Sequence, residues 1–581
     1  MDPDASTAAI EVEPKPDAAE PQPKAGRRWL LARRAAGFLV AVLFGVLSFH
    51  ICTRNNDFPY WYHPDESGKC RQVMSEEQER NYHHPLLLLE SVHTLMGWLD
   101  TPRTMEDVVM LGRRTSAGFI AVGVVALSLA GFHARGFVGL IVVGTVTCLC
   151  PPVLIYAHYF KEDTPLLMGI AIAILGGRWL AGSRSAGVQW AGVVTLALGS
   201  ACAISGKYVG LMVVPPALLA TFLASRVRWW KMVAYPAVFV LLCGVLVLAI
   251  NQRMFASFWP VELNPDARET IDVEYDHATK NHHNLVLPAF NRYCLTIAAD
   301  DMMPHLWAFM AIGAAALLVW GHWPTRWGVL LVAFFLSFNL ILSFNAIPFS
   351  RYALPITLML YVMSAMLIAN AVDLIWARSP RWGWGAFAVV VAVVVGLQGD
   401  RCAYFNGQFL DDSRHRLREW AAANLRPGSR IAVDGYTALT SRGDPKRFPE
   451  QRRLSLQFHG GSMYASDAAE TVQDLAAQNV EYVAVASMTY DRFFAPQIQG
   501  VPGAEELLAR RRKFYRDLEK DAELVWSDVP RPATKSFVSP EIRVYRLPVV
   551  RPNPGADERE QRAPGMSTFR RFLSPFRSPG R

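Results

Sequence analysis

The sequence predicts a polytopic α-helical membrane protein that carries a soluble α/β domain after its last span. Three observations predict it. Hydrophobic residues make up 52% of the chain and charged ones only 19%, below the roughly 25% charged content of soluble domains. The apolar residues gather into runs near the ~20 residues that a spanning helix needs. Basic residues collect in alternate short connections, the bias that orients membrane helices.

Residues 1–26 are rich in Pro, Ala, Asp and Glu and read as a disordered tail. Arg27, Arg28, Arg33 and Arg34 then flank a first span, 35–52, which places the N-terminus in the cytoplasm. That run is too long and too weakly cleavable for a removed signal peptide. A polar segment, 53–106, follows. Within it Leu86 to Leu99 is apolar but short for a span, so it reads as a helix along the interface.

Further spans fall at 108–131, 136–153, 165–182, 187–204, 207–224, 232–251, 304–321, 326–344, 350–373 and 382–398, about eleven in all. Arg135, Arg178, Arg184, Arg226, Arg228, Lys231, Arg326, Arg378 and Arg381 lie on the N-terminal side. The outer side receives 53–106, 154–164, 252–303 and 345–351. The span module is thus 27–399.

After it, 400–548 alternates helical and strand patterns. Arg416–Ala421 and Asp467–Gln478 read as helices, and Arg430–Val433 and Tyr482–Val485 as buried strands. Together they predict a small three-layer outer domain. It shows no Gly-rich phosphate loop and no nucleophile elbow. Residues 549–581, rich in Pro and Arg, read as a second disordered tail.

The net charge of +8 comes with no Lys/Arg stripe interleaved with aromatics, so nucleic acid is excluded as a partner. The eight cysteines form no CxxC pair. Cys148, Cys150, Cys202 and Cys243 sit in spans. Cys52, Cys70, Cys294 and Cys402 fall on the outer side, where one or two disulfides are compatible with the sequence.

Candidate chemistry concentrates on that outer side. His63-Pro64-Asp65-Glu66 stands where the first helix leaves the membrane. It has two readings: a helix start with Pro at its first position and acids in its first turn, or a general base facing an amphiphilic substrate. Tyr82, His83 and His84 open the interfacial run. Lys161, Glu162 and Asp163 precede Pro165, as a helix cap or as a phosphate or metal site. Lys207 sits at a span boundary, either snorkelling or paired with a lipid-linked phosphate. Arg351 and Tyr352 precede Pro355, where a guanidinium at a helix start suits phosphate or anchors the interface. His282 and His283 are candidate ligands for a divalent metal; no other cofactor is indicated.

With those motifs in that order, the chain resembles the glycosyltransferase C superfamily. In particular it resembles the branch that holds protein O-mannosyltransferases and the lipid A aminoarabinose transferase. The likeness covers roughly 35–400. It implies a polyprenyl-phosphate-linked sugar as donor and a saccharide, lipid or protein as acceptor. It also implies an inverting transfer on the non-cytoplasmic face, with Asp65 as base and Glu66 beside it. Lys161, Lys207, Arg351 and His84 then face donor phosphate. Relatives often carry Lys-Pro where this chain has His84-Pro85. The composition, rich in Arg, Ala and Val, points to a bacterial inner membrane. Two rivals remain: a transporter or flippase of a lipid-linked saccharide, and an inactive relative that binds envelope components.

Overall fold

The computed structural model describes residues 24–75, 80–225, 229–258, 325–342, 350–439, 455–459, 465–494, 505–530 and 537–548. The expected span 304–321, most of 252–303 with His282, His283 and Cys294, and nearly all of both tails lie outside the described residues.

Among the described residues seven helices are long and apolar enough to cross a membrane, and two shorter apolar ones accompany them. The first, α1 (Lys24–Thr53), starts earlier than its apolar run because the arginines before it are good helix formers. The outer segment holds α2 (Pro64–Met74) and α3 (Leu87–Trp98). Next comes α4, Met105–Cys148, which covers two expected spans. It breaks at Arg135-Gly136, where Gly136 takes φ +58°. A Cβ on Gly131 would fall 2.5 Å from the Gly139 carbonyl oxygen. Eight residues of continuous helix would hold those positions about 12 Å apart. So α4 is an antiparallel hairpin, and glycine supplies the left-handed turn at its tip.

The chain continues through α5 (Pro151–Ala157), α6 (Asp163–Gly182), α7 (Ala186–Gly206), α8 (Val214–Ser225), α9 (Trp229–Ile250) and α10 (Gln252–Phe258). Further on lie α11 (Thr325–Leu342), α12 (Leu354–Arg378) and α13 (Pro380–Leu410). Small residues bring α6 and α7 together. A Cβ on Gly169 would stand 2.2 Å from the Ala203 nitrogen, and one on Gly206 2.7 Å from the Leu166 nitrogen. Such close approach is how membrane helices gain packing without a hydrophobic driving force. Here it sets the start of α6 beside the end of α7.

Helix α13 runs past residue 400 to Leu410, and α14 (Ser413–Asn424) leads into the outer domain. Its sheet has the order β2-β1-β3-β5-β4. Strands β1 (Arg430–Val433), β2 (Gln457–Phe458) and β3 (Tyr482–Ala486) are parallel. Strands β4 (Glu523–Asp528) and β5 (Ile542–Arg546) are antiparallel to their neighbours. Side chains alternate between faces, as strand geometry requires. Ile431, Ala484, Ala486 and Val544 join Leu417 and Ala421 of α14 in the core shared with the membrane module. Ala432, Val483, Val485 and Tyr545 face Leu475, Phe514 and Leu518 in a separate core. Helices therefore cover both faces.

Two expectations change. The helix expected over 467–478 is two, Ala465–Ala468 and Val472–Ala477, because Thr471 and Asp474 form a capping box that restarts it. Cys52, Cys70 and Cys402 are free, buried thiols. Each sits in a packed helix rather than on an exposed outer loop, so none of the three is in a disulfide.

Candidate functional site

Helix α2 explains how the acidic pair works. The His63 side chain caps it, its Nδ1 accepting from the Asp65 amide at 3.2 Å. Successive residues on a helix point ~100° apart, so Asp65 and Glu66 face different surroundings. Glu66 is fully buried and is held by Arg113 at 2.5 and 2.9 Å and by the Phe160 amide at 2.8 Å. Arg113 also bonds the carbonyls of Asn56 and Phe58 at 2.6 and 2.7 Å. Glu66 thus pins the outer loop to α4 and has no face left for a substrate.

Asp65 faces the other way, with 42% of its side chain exposed. Lys161 bonds it directly, and an Arg351 Nη1 lies 3.5 Å away. Burial, the largest single influence, pushes the Asp65 carboxyl up, and only Lys161 and its charged neighbours together outweigh it. With His63, Lys69 and Arg351 behind, the group is held well below the usual carboxylate range. Lys69, one turn after Asp65 on the same face, bonds Glu162 and the Phe160 carbonyl. Glu162 also accepts His84 Nε2 at 2.8 Å and lies 3.6 Å from Lys161. Burial raises the Glu162 pKa, and His84, Lys161 and Lys69 together hold it well below the ordinary value. Burial likewise lowers His84, against the pull of Glu162.

The glycine contact between α6 and α7 delivers a third pair, Lys207 Nζ to Asp163 Oδ1 at 2.5 Å. Tyr352 presents its ring to both Lys207, at 5.0 Å, and Arg351, at 5.2 Å. Tyr82 adopts φ +52°, and its carbonyl accepts from the Tyr208 hydroxyl at 2.7 Å. His83 sits on the same turn, its amide on Asn81 Oδ1 at 3.3 Å.

Five separated segments thus meet: 63–69, 82–84, 161–163, 207 and 351–352. The outer domain closes one side. Phe537 packs on His63 at 4.3 Å and lies under Arg351 at 5.8 Å. Arg414 ties Asp412 to the carbonyls of Tyr62 and Phe537, at 2.6 and 2.7 Å. Sequence reading misses Lys69, Arg113, Arg414 and Phe537. Two of them carry a signal. Lys69 stands four residues after Asp65, and Arg113 is a charge inside an apolar run, which is costly unless paired.

Among the described residues no group of three His, Cys, Asp or Glu side chains is placed to hold a metal. Each acid of the cluster instead faces a lysine: Asp65 with Lys161, Glu162 with Lys69, Asp163 with Lys207. The donor set fits an anion better than a cation.

A multi-span membrane protein with a boundary cluster of lysines, an arginine and acids is the class these features define. No family model matches the chain, and no curated protein matches it. Among solved structures it is similar to ArnT from Cupriavidus metallidurans bound to undecaprenyl phosphate. The identity is 12%, over 89% of this chain and 98% of that one, with TM-score 0.44. It is also similar to the Archaeoglobus fulgidus oligosaccharyltransferase, 11% identical over 86% of this chain and 73% of that one, with TM-score 0.47. A third likeness is to the S. cerevisiae protein O-mannosyltransferase Pmt1-Pmt2 complex bound to the sugar donor. There the identity is 15%, over 39% of this chain and 33% of that one, with TM-score 0.31.

Proposed function

We propose that this protein is an inverting glycosyltransferase that takes a sugar from a polyprenyl-phosphate-linked donor on the non-cytoplasmic side of a bacterial inner membrane. The observation that carries the reading is the convergence of Lys69, Lys161, Lys207 and Arg351 with Asp65, Glu162 and Asp163 at a membrane boundary.

Arg351, Lys161 and Lys207 receive the donor phosphate. Guanidinium and ammonium groups suit phosphate oxygens, and in a partly buried site they stabilise developing charge strongly. As Lys161 turns to the phosphate, its hold on Asp65 weakens and the carboxylate becomes a better base. Asp65 then takes the proton from the acceptor hydroxyl. The acceptor oxygen attacks the anomeric carbon from the face opposite the phosphate. The bond from that carbon to the phosphate oxygen breaks, and its electron pair leaves with the polyprenyl phosphate. Such proton transfer contributes about 10²–10⁴ in rate. Glu66 positions α2 through Arg113, and His84 orients Glu162.

The lipid tail has a groove close by. It begins at Leu86, two residues after His84, and encloses about 970 Å³ between Leu95, Phe119, Val122 and Ile250. Its lining is mostly apolar, with Glu90, Arg114 and Arg253 also on the wall, and accommodates an isoprenoid chain.

The test is release of polyprenyl phosphate from a synthetic sugar donor by the purified protein in liposomes. Arg351→Ala and Lys207→Ala are expected to weaken donor binding while the protein stays folded. Donor binding unaffected by either substitution, or no turnover with any donor–acceptor pair, would sink the reading.

A further inference from the structure

At the other end of the same helices lies a second cavity, with a mostly apolar wall that carries two arginines. Asp163 belongs to the catalytic cluster and Arg178 is fifteen residues on along α6, about 22 Å away at the opposite membrane face. There Arg34 of α1, His133 at the α4 tip, Arg178 and Trp179 of α6, and Ser183 and Val188 around the start of α7 enclose about 410 Å³.

The cavity carries donors without matching acceptors. Arg178 gives Nη2 to the His133 carbonyl at 2.6 Å, while its Nε is buried with no hydrogen-bond partner. The Trp179 indole N–H is also buried and unpartnered. Helix α7, of 21 residues, starts here without a side-chain cap on its first amides, so its positive end opens into the same space. Arg135 adds like charge beside Arg178 and is paired with Asp373 at 3.9 Å. Among the described residues no acid lines the cavity. Unmatched donors around such a space call for an anion.

The surface leading away is apolar. Val188, Val194 and Leu198 of α7 are all exposed. With Ala191 between them, they fall on one helical stripe running from the cavity toward the membrane centre. A phosphate in the cavity would have its acyl chain on that stripe. Basic pockets between helices on a cytoplasmic face bind anionic lipid headgroups.

We infer that this cavity is a binding site for an anionic glycerophospholipid, with its phosphate between Arg34, Arg178 and the first amides of α7 and one acyl chain along Val188–Leu198. It lies at the face opposite the proposed catalysis and does not depend on that reading.

The experiment is native mass spectrometry of the full-length protein in detergent, with phosphatidylglycerol, phosphatidylcholine or inorganic phosphate added. Phosphatidylglycerol is expected to be retained over phosphatidylcholine. Arg34→Gln and Arg178→Gln should each reduce that retention about fivefold, and Arg178→Lys should keep most of it. Arg34 is exposed, so its variant stays interpretable if Arg178→Gln does not fold. Leu198→Asn, on the exposed stripe and outside the cavity wall, should weaken lipid retention and leave inorganic phosphate unaffected. Equal retention of both lipids, indifference to Arg34→Gln, or inorganic phosphate competing as well as lipid at equal concentration would overturn the inference.

Discussion

Replacing Asp65 with Asn separates catalysis from donor capture. The substitution keeps the size of the side chain and the His63 cap on the backbone of α2. It removes the single negative charge that lies beside Lys161 and 3.5 Å from Arg351. Two effects of opposite sign follow. Loss of a general base lowers kcat by about 10²–10⁴, roughly 3–5 kcal/mol of transition-state stabilisation. Both cations meanwhile lose a competitor for phosphate. Asp65 is partly exposed, so solvent screens that competition to about 1 kcal/mol, or about fivefold tighter donor binding. The assay uses one proteoliposome preparation for both readings: transfer of labelled sugar to acceptor, and equilibrium binding of the donor lipid. The expected signature is a collapsed turnover with equal or tighter binding. Retained transfer would refute Asp65 as base. Loss of binding together with transfer would refute the idea that Lys161 and Arg351 are shared between the carboxylate and the phosphate.

Other outcomes follow from the same contacts. Arg113→Met leaves Glu66 buried without its partner and should cost about 3–5 kcal/mol in a thermal or proteolytic stability assay. Adding Glu66→Leu should recover most of that loss. Chelating divalent ions should leave transfer unchanged, because the carboxylates a metal would need are each engaged by a lysine. In the outer domain, burial pushes Asp434 up to about 7, against hydrogen bonds from the Ala465 amide and Tyr515. Unfolded, that carboxyl ionises near 4, so between about pH 4 and 7 the unfolded chain binds fewer protons. Stability should fall as pH rises through that window, by up to about 4 kcal/mol. Asp434→Asn should flatten the dependence in a pH series of melting curves.

The membrane helices are legible in the sequence because twenty apolar residues in a row have few other uses. The motif residues are legible because charges at span ends are expensive and cluster in short signatures. What is hidden is mutual. Nothing in Lys69 taken alone says that it faces Glu162, 93 positions away, since that contact exists only after α2 lies across the start of α6. The roles of Asp65 and Glu66 are equally hidden, because adjacent identity conceals a ~100° turn. Arg414 illustrates a third limit. Its long-range partners, at Tyr62 and Phe537, are backbone carbonyls, and any residue supplies those. The break at Thr471 was the easier kind to find, since the Thr471 to Asp474 spacing is itself a capping signature.

The charges of the cluster fit the proposed reaction in both directions. Three carboxylates, Asp65, Glu162 and Asp163, stand among four cations, Lys69, Lys161, Lys207 and Arg351. Burial lowers the His84 pKa against the pull of Glu162, and the count is made with its imidazole neutral. The cluster therefore carries one net positive charge, which matches the single negative charge of a sugar phosphodiester. When Asp65 accepts the acceptor's proton, the cluster's net charge rises to two positives as the leaving phosphate monoester approaches two negatives. The proton transfer and the bond cleavage thus stay electrostatically matched without an acid catalyst or an added ion. Removing one lysine breaks the match at both stages. Lys207→Met should accordingly weaken donor and product binding together, whereas a residue that only oriented the acceptor would change neither.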